Sequence, residues 1–275
     1  MLSLQDTIRL HNGVEMPRLG LGVYKVEAGQ QVEETVRTAL ELGYRSIDTA
    51  AFYQNEEGVG NAVRGSGIDR KELFITTKVW NSDQGYDETL KAFDLSMKKL
   101  NLEYLDLFLV HWPVKGKYLD TWRALERIYK EGRVRAIGVS NFKIHHLEDL
   151  SANSELKPVL NQVELHPRLS QPELRAYCKE NEIAVEAWSP IARGRILDDP
   201  ILTKIAENHH KSTAQVTLRW HLQNDVVIIP KSVTPARLKE NMDLFDFELN
   251  EGEMEQIDAL NRNERFGADP DHIDF

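Results

Sequence analysis

The chain has a single cysteine among its 275 residues, Cys178, in the helical-looking stretch Glu173–Glu180. No internal disulfide can form and no second thiol stands at metal-ligand spacing, which points to a reducing compartment and a cytoplasmic protein. Long apolar runs are missing as well. No stretch approaches membrane-spanning length, and the opening Met1-Leu-Ser-Leu-Gln-Asp6 places an acid where a secretory signal needs positive charge. A soluble protein without membrane contact is expected. Basic excess is lacking too: 34 Lys and Arg against 44 Asp and Glu give a formal charge of −10, a surface that repels nucleic acid and anionic lipid. An anionic ligand must therefore find a local basic pocket. There is no Gly-x-Gly-x-x-Gly opening a helix after a strand, no Walker loop and no Tyr-x-x-x-Lys, which removes support for the common Rossmann nucleotide folds. His145-His146 and His209-His210 are adjacent pairs, unable to share a helix face, and neither fits His-Glu-x-x-His. Both are expected on the solvated surface, with no metal.

What is present is a repeated unit of β-rich run, polar link and amphipathic helix, following a hairpin cue at Asn12-Gly13. The runs are Leu19–Gly22, Tyr44–Asp48, Leu73–Lys78, Leu105–His111, Val134–Val139, Val159–Val163, Ile183–Trp188 and Val226–Ile229. Several are nearly continuous in Val, Ile, Leu and Phe, as parallel strands covered on both faces are. Helical patterns lie between them, such as Val32–Leu42, Tyr86–Leu100, Thr121–Glu131 and Gln171–Lys179, and Gly43, Asn101 and Gly132 stop three of them as C-caps do. Eight strands alternating with helices predict an α/β fold, a closed (β/α)8 TIM barrel with an N-terminal hairpin. Two further helical patterns, Pro200–Asn208 ahead of Thr213–Gln223 and Glu251–Leu260, exceed the eight pairs. No linker, repeat or low-complexity tract divides the chain, so residues 1–275 read as one domain. The polar segment Phe266–Phe275 reads as a tail folding over one barrel mouth, and the lack of a long exposed apolar stretch favours a monomer.

Three of the runs deliver an ionisable group where they stop: Asp48, Lys78 and His111, with Tyr53 just beyond the first. Taken singly, Asp48 could cap a helix, Lys78 could snorkel, Tyr53 could be a loop aromatic and His111 a core histidine. Their joint placement at successive strand ends, which converge at the C-terminal mouth of a barrel, favours one catalytic pocket. An ammonium beside a phenol favours the phenolate and makes the phenol a better acid. An aspartate fixes the ammonium, and an imidazole alongside can orient a carbonyl oxygen. Such a set protonates the alkoxide formed when hydride reaches a carbonyl carbon. An aldolase forming a Schiff base on Lys78 is a rival.

The stretches Gly43-Tyr-Arg-Ser-Ile-Asp-Thr-Ala-Ala-Phe-Tyr-Gln-Asn-Glu56, Phe74-Ile-Thr-Thr-Lys-Val-Trp80, Leu105-Asp-Leu-Phe-Leu-Val-His-Trp-Pro113, Ile137-Gly-Val-Ser-Asn-Phe142 and Ile229-Pro-Lys-Ser232 resemble the aldo-keto reductase family. The resemblance runs from about Leu10 to Phe247. It implies NADPH-dependent reduction of aldehydes and ketones, with Tyr53 as general acid, Lys78 and Asp48 lowering its pKa, and His111 positioning the carbonyl; the alternative it carries is a regulatory subunit that binds NADPH without significant turnover. By the same resemblance Tyr24, Trp80 and Trp112 line the substrate pocket together with Tyr53 and His111. Gly22, Val23, Tyr24 and Asp48 contact the cofactor, and Ser140, Asn141 and Gln162 bind the nicotinamide carboxamide. The ring-stacking position is Trp188, where many animal members place tyrosine, which points to the bacterial and protozoan branch. Lys231, Ser232, Arg237 and, with less support, Lys239 would hold the 2′-phosphate. Glu240 and Asn241 fall where the family contacts adenine, and Ser189, Ile191 and Val233 are main-chain or packing contacts. Relatives in that branch reduce methylglyoxal, 2,5-diketogluconate or prostaglandin H2. The short tail implies an open pocket with broad use of small carbonyls.

Overall fold

Runs rich in Val, Ile, Leu and Phe form the strands here because each is buried on both faces, with helices outside and neighbouring strand side chains within. The computed structural model describes residues 3–273 and Phe275; of the N-terminal segment weighed above, Met1 and Leu2 lie outside the described residues. A hairpin of β1 (Thr7–Arg9) and β2 (Glu15–Pro17) opens the chain. Eight parallel strands follow: β3 (Leu21–Gly22), β4 (Ser46–Asp48), β5 (Phe74–Val79), β6 (Leu105–Val110), β7 (Val134–Ser140), β8 (Leu160–Glu164), β9 (Ala184–Trp188) and β10 (Val227–Ile228). They lie in sequence order around the sheet. Closure comes from the Gly20 N–H, which donates to the Ile228 carbonyl at 2.8 Å, and the Ile228 N–H, which donates to Arg18 at 3.0 Å. The (β/α)8 barrel expected from the sequence is the fold.

The helices are α1 (Gln30–Leu42), α2 (Glu56–Gly65), α3 (Tyr86–Leu100), α4 (Tyr118–Lys130), α5 (Ile144–Asn153), α6 (Pro172–Glu180), α7 (Pro200–His209), α8 (Thr213–Gln223), α9 (Pro235–Glu240) and α10 (Glu251–Asp258). Helix α1 shows why they sit where they do. Val32, Val36, Ala39 and Leu40 recur on one face and are buried, while Gly43 ends the helix at φ 111° with its N–H on the Ala39 and Leu40 carbonyls. Asn101 ends α3 at φ 50° in the same way. After α4 the αL residue is Gly132, one position beyond the capping Glu131. Helices α7 and α10 are the two beyond the eight pairs, and α7 lies between β9 and β10 as expected.

Alternation along the strands divides the barrel interior into two levels. At the lower level Phe74, Leu107, Leu109, Ala136, Leu160 and Val227 pack together, and the hairpin region closes that end with Leu10 and Met16. Nearer the C-terminal mouth the inward positions are polar and still buried: Asp48, Lys78, Gln162 and Glu186. An apolar floor under a polar layer keeps water away from those charges. Removing the plug should test this: Met16→Ala leaves a cavity in the floor and should cost about 2–5 kcal/mol. Urea denaturation followed by tryptophan fluorescence measures that loss, and an unchanged midpoint would show that the hairpin contributes no packing.

Candidate active site

The phenol of Tyr53 is placed by buried polar anchors rather than by a regular element. After Asp48 the chain turns through a 3-10 segment, Ala51–Tyr53, and reverses at Gln54, which sits at φ 56°. Asn55 ties the turn down. Its amide donates to the Val23 and Val26 carbonyls at 3.0 and 3.1 Å, while its oxygen accepts from the Thr49 hydroxyl at 2.7 Å. The first residue of α2, Glu56, accepts from the Thr77 hydroxyl on β5 at 2.6 Å. All four anchors are buried, so the loop cannot drift without leaving polar groups unpaired.

Asp48, Tyr53, Lys78 and His111 meet. The Lys78 ammonium donates to Asp48 Oδ1 at 2.6 Å, to the Thr49 carbonyl at 2.9 Å and to the Tyr53 hydroxyl at 3.5 Å. The His111 ring lies 5.8 Å from the Tyr53 ring, edge to face. Burial pulls the lysine pKa down, but Asp48, Tyr53 and Glu186 outweigh it, and the group is held above its ordinary value. Burial also pushes Tyr53 up to about 12. Lys78 opposes that rise, as expected, whereas Asp48 reinforces it: a carboxylate repels the phenolate and reaches Tyr53 only by orienting the ammonium. The expectation that Asp48 itself lowers the phenol pKa is therefore corrected. His111 is depressed well below the usual range by burial and by Lys78, so it is a neutral imidazole at physiological pH.

The residues expected at the nicotinamide also gather. Ser140 ends β7 and donates to the Gln162 carbonyl at 2.8 Å. Asn141, in the left-handed region at φ 65°, donates to the His111 carbonyl at 2.9 Å and accepts from the Trp188 indole N–H at 2.8 Å. Trp188 is thus locked as a half-buried platform. Gln162 departs from a simple carboxamide contact, since its amide nitrogen donates to Asp48 Oδ2 at 2.8 Å and to Glu186 Oε2 at 2.6 Å. Only its oxygen is left for a ligand. Ser189 follows Trp188 at φ 50°, and Ile191 packs half-buried against the core. Gly22 must be glycine, because a Cβ would stand 2.9 Å from the Ile229 carbonyl oxygen.

Val23 lies in the core, its N–H donates to the Asp48 carbonyl at 3.1 Å and its carbonyl accepts from the Asn55 amide at 3.0 Å, so its side chain packs and its backbone ties the loop down. Beyond β10, Lys231, Arg237 and Lys239 are exposed, and among the described residues none has a carboxylate within 4.0 Å. In a protein of charge −10 such free cations fit an anionic group. Ser232 and Asn241 beside them are buried, Glu240 is half-buried and Val233 exposed.

Aromatic rings wall the mouth. Tyr24 lies 5.0 Å from Tyr53, Trp80 stands edge-on to His111 at 5.1 Å, and Trp112 is buried with its carbonyl accepting from Gln84 at 2.7 Å. Two rings were not anticipated. Phe52 stacks on Trp80 at 3.8 Å, and Phe275 stacks on the same indole at 5.9 Å while meeting Trp112 edge-on at 5.4 Å. The tail does fold over the mouth, and its last ring narrows a pocket expected to be open. Glu164 anchors it: the carboxylate accepts from the Phe266 and Gly267 N–H groups at 2.7 and 2.9 Å and contacts His166 at 3.1 Å. Burial works against its ionisation, but these bonds win and hold its pKa below the usual value. A Cβ at Gly267 would run into the Trp188 ring, which is why the tail can lie so close there.

Further out, Lys143 pairs with Asp269 and Asp271 at 2.5 and 2.6 Å. The adjacent His145 and His146 do share a partner, contrary to expectation: their rings are 4.0 Å apart and both Nε2 atoms approach Asp271, at 3.0 and 3.5 Å. They occupy consecutive positions in the first turn of α5. His146 is buried and accepts the Lys143 N–H on Nδ1, which leaves its proton on Nε2, facing the Asp271 carboxylate. His209 pairs with Glu253 at 2.9 Å, and His210 is exposed.

Comparison with known proteins agrees with this geometry: residues 18–262 match the Aldo/keto reductase family. The chain belongs to that family. As a member of the aldo/keto reductase family it is an oxidoreductase. It is 61% identical to glyoxal reductase of Bacillus subtilis (strain 168) over 99% of both chains. It is 53% identical to 9,11-endoperoxide prostaglandin H2 reductase of Trypanosoma cruzi (strain CL Brener), over 98% of this chain and 96% of that one. Among solved structures it resembles a Gox0644 mutant in complex with NADPH at a TM-score of 0.94 and 46% identity, covering 98% of this chain and 99% of the other. A bacterial and a protozoan relative match the branch inferred from Trp188.

The buried ion pair yields a stability test. Asp48→Ala leaves the Lys78 charge with two neutral acceptors, the Thr49 carbonyl and the longer contact to the Tyr53 hydroxyl, and should destabilise the protein by about 3–5 kcal/mol. Adding Lys78→Met should recover most of that loss in a chemical denaturation series, and no recovery would mean that the charge itself is not the cause.

Proposed function

We propose that this aldo/keto reductase uses NADPH to reduce small aldehydes and dicarbonyls to alcohols, with Tyr53 as proton donor. The observation that carries the reading is the Lys78 ammonium held between Asp48 and the Tyr53 hydroxyl at the floor of an aromatic-walled mouth. When bound, NADPH supplies the hydride for the carbonyl carbon. Trp188 offers the flat face for the nicotinamide, Asn141, Ser140 and the Gln162 oxygen serve its carboxamide, and Lys231 and Arg237 serve the 2′-phosphate. Neutral His111 offers one ring N–H that orients the carbonyl oxygen without protonating it. Tyr53 gives up its proton to the oxygen that becomes the alcohol, and Lys78 stabilises the phenolate left behind. Trp80, Trp112, Phe52 and Phe275 exclude water and favour small or flat carbonyls. The solved relative in complex with NADPH and the relative named glyoxal reductase support the cofactor and the substrate class.

The aldolase alternative meets a fully buried lysine, paired at 2.6 Å and held protonated, which is a poor nucleophile. The same intact pairing favours turnover over a purely regulatory role. We also read the protein as a cytoplasmic monomer. The Cys178 thiol is buried and pushed up to about 12, and most large exposed apolar side chains, Tyr24, Phe52, Val233 and Phe275, belong to the mouth or the cofactor path. Among the described residues no helix is long and apolar enough to cross a membrane.

Tyr53→Phe should lower turnover by about 10²–10⁴-fold while NADPH affinity, read by fluorescence quenching, stays near that of the parent. Retained turnover rejects Tyr53 as the acid. Lys231→Ala or Arg237→Ala should weaken NADPH by roughly 10–100-fold, the loss of one charge-assisted contact, and leave NADH unaffected. An NADPH oxidation assay across glyoxal, methylglyoxal, sugars and aromatic aldehydes, with NADH in parallel, measures both cofactor preference and substrate class.

A further inference from the structure

Glu186 lies in the middle of β9, between the apolar Val185 and Ala187, and is 1% exposed. It reaches into the barrel and accepts from Gln162 Nε2 at 2.6 Å, the same nitrogen that donates to Asp48 Oδ2 at 2.8 Å. Asp48 in turn holds Lys78, and Lys78 touches Tyr53. An unbroken line of contacts therefore runs from Glu186 through Gln162, Asp48 and Lys78 to the proton donor. The line contains two carboxylates and a phenol but one cation. β8 presents Gln162 at the paired position and β10 presents Val227. Asp48 from β4 and Lys78 from β5 are the charged groups acting on Glu186.

We propose that Glu186 is a positioning residue for Tyr53, acting through Gln162, Asp48 and Lys78, whose own proton sets how much of the lysine's charge the phenol receives. With Glu186 protonated the group of four is neutral: Lys78 balances Asp48, and its field falls on Tyr53. With Glu186 ionised the group carries one net negative charge, which opposes phenolate formation. Burial and the Asp48 charge raise the carboxyl to about 8, so the change falls within the working range of an enzyme. The ionised form keeps Tyr53 protonated to higher pH but makes it a weaker acid.

This inference rests on Tyr53 as the donor, yet it can be read without turnover. The tyrosinate absorbance of the full-length protein, titrated against a Tyr53→Phe background, isolates Tyr53. In Glu186→Gln its midpoint should move down by about one pH unit, whereas Glu186→Asp should stay closer to the parent. Stability gives a second readout. A carboxyl raised from 4.5 in the unfolded chain to about 8 holds its proton only when folded, so stability should fall as pH rises through that window in the parent and not in Glu186→Gln. In steady state, the parent kcat for methylglyoxal reduction should step down near pH 8, and the step should vanish in Glu186→Gln. Should that variant not fold, the parent still decides: the carbon-13 shift of the Tyr53 ring Cζ should step at the pH where the Glu186 carboxyl titrates, and a Tyr53 signal that ignores that titration overturns the proposal. An unshifted tyrosinate midpoint, or an identical pH profile in Glu186→Gln, overturns the proposal. If the parent reduces no carbonyl while the tyrosinate shift appears, the functional reading fails and this coupling stands.

Discussion

A lysine and an aspartate in contact at 2.6 Å, both almost without solvent, are the constraint around which this barrel is arranged. Two charges withdrawn from water cost several kcal/mol each, and their attraction offsets this only where geometry and further hydrogen bonds are good. Both conditions trace to the fold. Adjacent parallel strands β4 and β5 bring the side chains side by side, the Thr49 carbonyl and Gln162 amide take the remaining bonds, and the apolar floor plugged by Leu10 and Met16 keeps water from below. The pair then does for Tyr53 what neither partner does alone: aspartate fixes the ammonium, and the ammonium faces the phenol. Because aspartate by itself pushes the phenol the wrong way, its value lies in placement rather than in charge.

The eight strands and the tetrad are legible in the sequence because buried parallel strands leave a compositional mark, and an acid, lysine or histidine at the end of such a run stands out. Helix α2 is harder to see. It carries Gly58, Gly60 and Gly65, and Gly60 is needed because a Cβ there would strike the Leu100 carbonyl at the end of α3. The contact that requires the glycine lies forty residues away in sequence, so local pattern cannot supply it. Helix α9 has six residues, too few for a period to show. Roles of Ser140, Asn141 and Trp188 follow from family resemblance, whereas the double donation by Gln162 depends on Glu186 lying at its paired position across β8 and β9. An isolated acid inside an apolar run was the available sign of Glu186.

The tail links parts of the site that are remote in sequence. Glu164, at the end of β8, grips the backbone at Phe266 and Gly267, Gly267 lies against Trp188, and Trp188 is bonded to Asn141, which holds the His111 carbonyl. The Glu164 carboxylate thus connects the tail at Phe266 and Gly267 to Trp188, Asn141 and His111. The Lys143 pairing with Asp269 and Asp271 adds a second fastening nearer the surface, where solvent and salt weaken it.

Phe275 rests against Trp80 and Trp112, and its carbonyl accepts from Asn81 at 3.1 Å. Any chain running on from that residue, whether native or fused, would begin at the rim of the mouth that these rings wall. The hairpin lies beneath the opposite end of the barrel, and that is the side from which this protein can be tethered to a support or a neighbour without obstructing its mouth.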